Sequence, residues 1–256
     1  MNYTGNSMPS EKIDIEPISL KRVSSRSPIG AFNARHVDVG NSPDCGLIVL
    51  DDELLGDLAI SAARALVIAE EIPPVRVFAI GFGADDISSL TLCRAQYLTY
   101  QEGCLELLEL ESTGHGEVLE SYLCSIASTE FSEPPSLLGY SLSGSFALQA
   151  VGKSPEKFSG VAAISPSLWA EPAAEISVRN ALSSNSEFLC HLSAGAAEVD
   201  RHLTGRGDHM FELVASLGKN LEEEFGERVS TRLFEGETHF GMPFAAICGA
   251  LRILCR

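Results

Sequence analysis

From Gly46 onward, short apolar runs alternate with longer segments of helical period, and no other feature restricts the possible fold so strongly. Gly46 to Leu50 reads as a buried strand. Leu54 to Ala69 reads as a helix that sets Leu55, Leu58, Ala59 and Ala62 on one face. Pro73 and Pro74 close it, and Arg76 to Gly81 is the next strand. Glu117 to Ile126 is predicted helical, and Pro134 and Pro135 precede a strand that ends at Tyr140. Leu142 to Val151 (helix), Val161 to Ile164 (strand), Phe188 to Leu192 (strand), Asp208 to Phe225 (long amphipathic helix), Val229 to Phe234 (strand) and Met242 to Leu254 (apolar helix) complete the series. Such alternation buries its apolar faces when the strands form a mostly parallel sheet with helices on both faces, which predicts the α/β class.

The rest of the chain agrees with one domain of this kind over 46–256. Residues 1–45 are rich in Ser, Asn and Pro and are expected to be a loose tail in which Phe32 to Val39 supplies an edge strand. Of the 256 residues, 45% are apolar and 21% charged, enough to build a sizeable core. Acidic residues outnumber basic ones 35 to 18, for a formal charge of −17. That balance argues against nucleic acid and anionic membrane surfaces as partners, since both call for clustered Lys and Arg. No apolar run approaches the ~18 residues of a membrane span. The seven cysteines are an odd number, and none forms a Cys-x-x-Cys pair or a zinc-type spacing. Reduced thiols and a cytoplasmic location are expected, without a signal peptide.

The segment Leu137-Leu138-Gly139-Tyr140-Ser141-Leu142-Ser143-Gly144 carries the chemistry. A serine on a sharp strand-to-helix turn needs small neighbours two residues before and two after it, because backbone crowding there excludes side chains. Gly139 and Ser143 hold those places, Ser143 standing where the strict Gly-x-Ser-x-Gly pattern has glycine. The turn makes Ser141 a candidate nucleophile and sets the amide of Leu142 at a helix start, where it can donate to a developing oxyanion. A helix-capping serine would use the same residues.

In this architecture the partners follow in the order Ser, acid, His. The acid is expected on the loop after the Phe188 to Leu192 strand, where Glu198 and Asp200 are candidates. Glu198 is favoured, three residues beyond the turn glycine Gly195. The base is expected after the last strand. His36, His115, His191, His202 and His209 compete, but only His239 combines that chain order with a glycine-bearing loop beside an apolar helix. Trp169 reads either as a pocket wall or as a core aromatic. Arg94 reads either as a contact for an anionic substrate group or, preferably, as a surface residue.

At these residues the sequence resembles the esterase D-type α/β hydrolases, the branch that includes ferric enterobactin and bacillibactin esterases. Gly139 to Gly144 with Phe146-Ala147-Leu148, Ala162 to Trp169 (Ala-Ala-Ile-Ser-Pro-Ser-Leu-Trp) and Glu235 to Phe240 carry the likeness, with a weaker one at Val49 to Gly56. The resemblance implies an α/β-hydrolase fold and a carboxylic ester hydrolase with Ser141 as nucleophile, His239 as base and Glu198 as acid. It further implies an oxyanion hole from the backbone of Leu142 and of the Asp51 to Glu53 loop, assigned to Glu53; Trp169 and Arg94 are the candidate residues for the substrate pocket.

Besides Ser143, three positions depart from the family pattern. Asp52 stands in place of a glycine, and Tyr97 and Tyr100 stand in place of Asp and Pro in an Arg-x-x-Asp-Leu-Thr-Pro segment. An inward-facing Asp52 carboxylate would oppose an oxyanion. The expected reaction is acyl transfer to Ser141 and hydrolysis of the acyl-enzyme, on a small-molecule ester that includes siderophore-type esters and lactones. It calls for no cofactor or metal, and a monomer or homodimer is expected. The competing reading is a weak or inactive relative that acts as a binding protein.

Overall fold

The computed structural model describes residues 25–26, 32–105, 110–171, 173–198 and 210–256. An eight-stranded sheet runs through it, built from β1 (Ser25–Arg26), β2 (Asn33–Val39), β3 (Cys45–Leu50), β4 (Val75–Gly81), β7 (Ser136–Tyr140), β8 (Gly160–Ile164), β9 (Leu189–Gly195) and β10 (Val229–Phe234). Its spatial order is β1-β2-β4-β3-β7-β8-β9-β10. From β4 to β10 every neighbouring pair is parallel, and only β1–β2 and β2–β4 are antiparallel. A separate hairpin is formed by β5 (Glu102–Leu105) and β6 (Leu110–Thr113). The chain has the mostly parallel α/β sheet that its alternating pattern predicts, in the α/β-hydrolase fold that the resemblance implies.

The strands show why the apolar runs are continuous. Leu47 and Val49 of β3, Leu138 of β7, and Ala162 and Ile164 of β8 point to one core, which holds Leu55, Ala59 and Ala63 from the α1 region (Asp57–Ile68) and Met242, Ala246 and Ala250 of α7 (Met242–Leu254). The alternate residues Ile48, Leu50, Leu137, Val161 and Ala163 point to the other core. That larger core is closed by α2 (Ile87–Tyr97), α3 (Gly116–Glu130), α4 (Leu142–Lys153), α5 (Ala174–Ser184) and α6 (Met210–Phe225). A strand covered on both faces cannot alternate apolar with polar.

Three differences from the sequence reading matter. Phe32 to Val39 yields β2, but β1 pairs outside it. The first helix opens two residues earlier than expected, in a π-type turn at Asp52–Gly56, because Asp51 adopts left-handed backbone (φ 58°) and its carbonyl accepts from both Leu54 and Leu55. Helices α2 and α5 and the β5–β6 hairpin have no counterpart in the sequence reading; in α2 only Leu90 and Ala95 are buried. The N-terminal part of the expected tail and the expected start of α6 at Asp208 lie outside the described residues. Among the described residues no helix is long and apolar enough to cross a membrane.

The sheet positions the site by putting successive parallel strands beside one another. Asp51 follows β3, Ser141 follows β7, Ser165 follows β8, Glu198 follows β9, and the loop carrying His239 follows β10, so all five leave the carboxyl edge of one sheet. Ligand sites of open α/β sheets form at that edge.

Candidate active site

Ser141 is held in a strained turn. Its φ of 58° and ψ of −121° are sparsely populated for a residue with a Cβ, and the neighbouring structure fixes it there. Its N–H donates to the Ile164 carbonyl of β8 at 2.9 Å, and its carbonyl accepts from Ser145 and from Ser167. The turn is tight enough that a Cβ on Gly139 would lie 2.2 Å from the Ser143 carbonyl oxygen. Gly139→Ala is therefore expected to cost about 1–3 kcal/mol of stability by overpacking. Thermal denaturation checks this, and an unchanged melting temperature would contradict it.

Ser143, in place of glycine, fits the turn by folding its hydroxyl back on the strand end. Its Oγ donates to the Tyr140 carbonyl and accepts from the Tyr140 N–H, both at 2.9 Å, and the residue is fully buried. The hydroxyl thus finds both its partners locally and leaves the outer face of Ser141 free of it.

His239 Nε2 lies 3.0 Å from Ser141 Oγ, and its Nδ1 lies 2.8 Å from Glu198 Oε2. The loop bearing this histidine is anchored by Tyr140, whose hydroxyl donates to the His239 carbonyl at 2.9 Å and whose ring centroid is 4.9 Å from the imidazole. Burial pushes the Tyr140 hydroxyl well above the ordinary tyrosine range, so it serves there as a neutral donor.

Glu198 is buried, and its Oε1 accepts from the Gly195 N–H and from Ser165 Oγ, the latter at 2.6 Å. With Oε2 turned to His239, both oxygens of the carboxylate are engaged by donors. Gly195 also lets the two loops meet: a Cβ there would lie 2.2 Å from the Glu237 carbonyl oxygen, and that same carbonyl accepts from Ala197.

The remaining candidates divide. Asp200, His202 and His209 lie outside the described residues. His36 of β2 stacks on Phe78, His115 precedes α3 with its Nδ1 beside Gln96 and Thr113, and His191 is buried within β9, so none of these three joins Ser141. Burial, with the charge of Arg232 as the lesser cause, pushes His191 down to about 4. Leu142 opens α4 directly after β7, and Glu53 lies in the turn after the neighbouring β3. The Glu53 carboxylate itself turns away to accept from the N–H groups of Phe82 and Gly83 at 2.7 Å. Trp169 is half-buried against the larger core, in the turn that follows Ser167.

The surface reading of Arg94 is corrected. Its guanidinium is largely covered, pairing through Nε with the buried Asp51 at 3.0 Å and donating to the Tyr140 carbonyl at 3.3 Å. It therefore ties the turn after β3 to the turn that carries Ser141. A carboxylate as deeply buried as Asp51 needs such a partner.

Asp52 does not face an oxyanion. Arg35 of β2 takes both its oxygens, with Nε 2.8 Å from each. The pair fits because position 56 is glycine: a Cβ there would lie 1.8 Å from Asp52 Oδ1. Tyr97 packs edge-on to Phe32 at 4.9 Å, and Tyr100 stacks on Phe146 of α4 at 5.3 Å. Tyr100, unlike the proline of the family pattern, also has an N–H to give, and it donates it to Glu171.

Two serines were missed as parts of the site. Ser165 holds Glu198, and Ser167 places its Oγ 3.3 Å from Ser141 Oγ while its N–H bonds the Ser141 carbonyl. Both belong to the Ser-Pro-Ser-Leu-Trp run, which marked a likeness but gave no roles. The signal that could have found them is the position of that run, directly after the strand beside the serine turn.

The family described as "Putative esterase" matches residues 112–232. No curated protein matches the chain. Among solved structures, the siderophore hydrolase EstA from Aspergillus nidulans superposes with a TM-score of 0.73 at 17% identity, covering 100% of this chain and 99% of its own. The BES protein from Bacillus cereus gives 0.75 at 17% identity, covering 96% and 99%. The enterobactin esterase FES from Shigella flexneri gives 0.64 at 16% identity, covering 92% of this chain and 58% of its own. These structures share the fold of this chain.

Proposed function

We propose that this chain is a carboxylic ester hydrolase that works through an acyl-enzyme on Ser141, with His239 as general base and Glu198 as its acid. The observation that carries this reading is the unbroken line of contacts from Ser141 Oγ through His239 to Glu198 Oε2, at 3.0 and 2.8 Å. A serine hydroxyl is a weak nucleophile near neutral pH, and an imidazole within hydrogen-bond reach is what activates it.

In the first step Ser141 Oγ attacks the ester carbonyl while His239 Nε2 takes its proton. Glu198, accepting from Nδ1–H, keeps Nε2 free as acceptor and stabilises the imidazolium that forms. The developing oxyanion is met by backbone N–H groups of Leu142 and of the turn at Glu53, at the adjoining ends of β7 and β3. The imidazolium then returns the proton to the departing alcohol. Water, deprotonated by the same histidine, releases the acid and restores Ser141.

Arg94 acts as a positioning residue, through Asp51 and the Tyr140 carbonyl, and Trp169 walls the acyl side. The engagement of Asp52 by Arg35 and of Ser143 by Tyr140 supports an active enzyme over a silent binding relative, since neither departure from the family pattern intrudes on the reacting atoms. Small and medium esters, siderophore-type lactones included, are the substrate class that the likeness favours.

A fluorophosphonate probe tests the mechanism. Stoichiometric labelling mapped to Ser141 is expected, and a folded sample that stays unlabelled would overturn the reading. A panel of p-nitrophenyl esters of graded length beside catecholate trilactones then sorts the substrates. Turnover limited to short simple esters would count against the siderophore class.

A further inference from the structure

A cavity of about 460 Å³ opens between the segment after α2, the β5–β6 hairpin and the start of α5. Thr99, Gln101, Gly103, Leu105 and Ser112 line one side, and Ala170, Glu171, Ala173 and Ile176 the other, with Glu102 at the edge. Two of its walls lie close in sequence to residues that touch the serine turn. Glu171 lies four residues beyond Ser167, whose hydroxyl faces Ser141 Oγ, so its Cα is within about 14 Å of that of Ser167 along the chain. On the opposite side, Thr99 follows the helix whose Arg94 bonds the Tyr140 carbonyl.

We infer that this cavity takes the ammonium group of a substrate, with the Glu171 carboxylate as its counter-charge, so that the preferred esters carry a primary amine on an aliphatic arm. The inference rests on the reading of Ser141 as nucleophile.

Glu171 is only 5% exposed, and the one hydrogen bond it accepts among the described residues comes from the Tyr100 N–H at 3.2 Å. No Lys, Arg or His is among the described residues that line the cavity. A buried carboxylate without a cation is costly, and burial accordingly pushes Glu171 up to about 7, the Tyr100 amide acting only as a weaker pull the other way. A ligand ammonium brings a positive charge and three donors, while an anionic group would meet two carboxylates and no cation among the described lining residues. Leu105, Ala170, Ala173 and Ile176 offer the apolar wall that a methylene stem needs. Along the same wall, Ser112 Oγ donates to the Gln101 carbonyl at 2.8 Å, and the Thr99 hydroxyl donates to the Ala95 carbonyl at 2.9 Å.

The full chain and its Glu171→Gln variant, which keeps shape and removes charge, are compared on p-nitrophenyl 6-aminohexanoate and p-nitrophenyl heptanoate. The readout is the ratio of the two kcat/KM values within each protein, which cancels any general loss. Wild type is expected to favour the ammonium ester by about ten- to hundredfold, the worth of a charge-assisted hydrogen bond, and Glu171→Gln to bring the ratio near one. A wild-type ratio near one, or an unchanged ratio in the variant, overturns the inference.

Calorimetry with hexylammonium chloride provides a readout that needs no turnover. Binding to wild type that is lost in Glu171→Gln supports the cavity assignment even in a protein that fluorophosphonate fails to label, whereas absence of binding to wild type overturns it. Failure of labelling alone strikes only the reading of Ser141.

Discussion

Ser141→Ala is expected to abolish fluorophosphonate labelling and to lower ester turnover by about ten-thousandfold or more, while the protein stays folded. The large effect follows from what one oxygen does. In the proposed mechanism it is the atom to which the acyl group bonds, so without it the two-step path is closed and only direct attack by water remains. The fold should survive because the turn is held by its backbone: Ser141 N–H to Ile164, and Ser145 and Ser167 to the Ser141 carbonyl. Alanine keeps all three bonds. It does remain in left-handed backbone, as serine does, so the strain is carried over rather than created. Turnover by the variant within tenfold of wild type would move the nucleophile elsewhere, with Ser167, 3.3 Å away, the first residue to examine.

Glu198→Gln is expected to cost about a thousandfold in kcat with little change in KM. The carboxylate now accepts from three directions: Gly195 N–H and Ser165 Oγ on one oxygen, and His239 Nδ1 on the other. A carboxamide has one oxygen, so one of its ends must turn an NH₂ toward a donor. If the oxygen stays with Gly195 and Ser165, the NH₂ faces Nδ1 and imposes the tautomer with its proton on Nε2. That leaves Nε2 without the lone pair needed to receive the Ser141 proton. If the amide flips, the NH₂ meets two buried donors, and the acid loop that the Gly195 N–H holds in place loosens. Steady-state kinetics with a melting curve separates the two outcomes, the second lowering stability as well as rate. A loss below tenfold would mean that Ser141 and His239 suffice as a dyad.

How much of this was readable from the chain varies with the kind of signal. Strands β3, β7 and β8 are buried on both faces and so write themselves as unbroken apolar runs, and α7 as a long apolar helix. Helix α2 was missed because its apolar residues are scattered, with Ile87 and Leu92 exposed and only Leu90 and Ala95 buried. The serine turn was readable because a tight backbone demands small residues at set spacings, and His239 because chain order left it without a rival beside the last helix. Arg94 was misplaced because nothing local shows that its partner is Asp51, 43 residues earlier. The same holds for Asp52, whose danger to an oxyanion vanishes only when Arg35 is seen beside it.

The sequence by itself determined the α/β class, from its local periodicity, and offered Ser141, Glu198 and His239 as candidates from small-residue spacing and position along the strands, while the hydrolase fold is what the family resemblance implied. Only the tertiary structure decided which groups meet each carboxylate: the Gly195 N–H, Ser165 Oγ and His239 Nδ1 at Glu198, Arg94 at Asp51, Arg35 at Asp52, and the Tyr100 N–H at Glu171, with no cation there among the described residues. The reason is physical. The cost of a buried charge depends on groups within a few ångströms in space, and in this fold those groups arrive from strands and loops tens of residues apart.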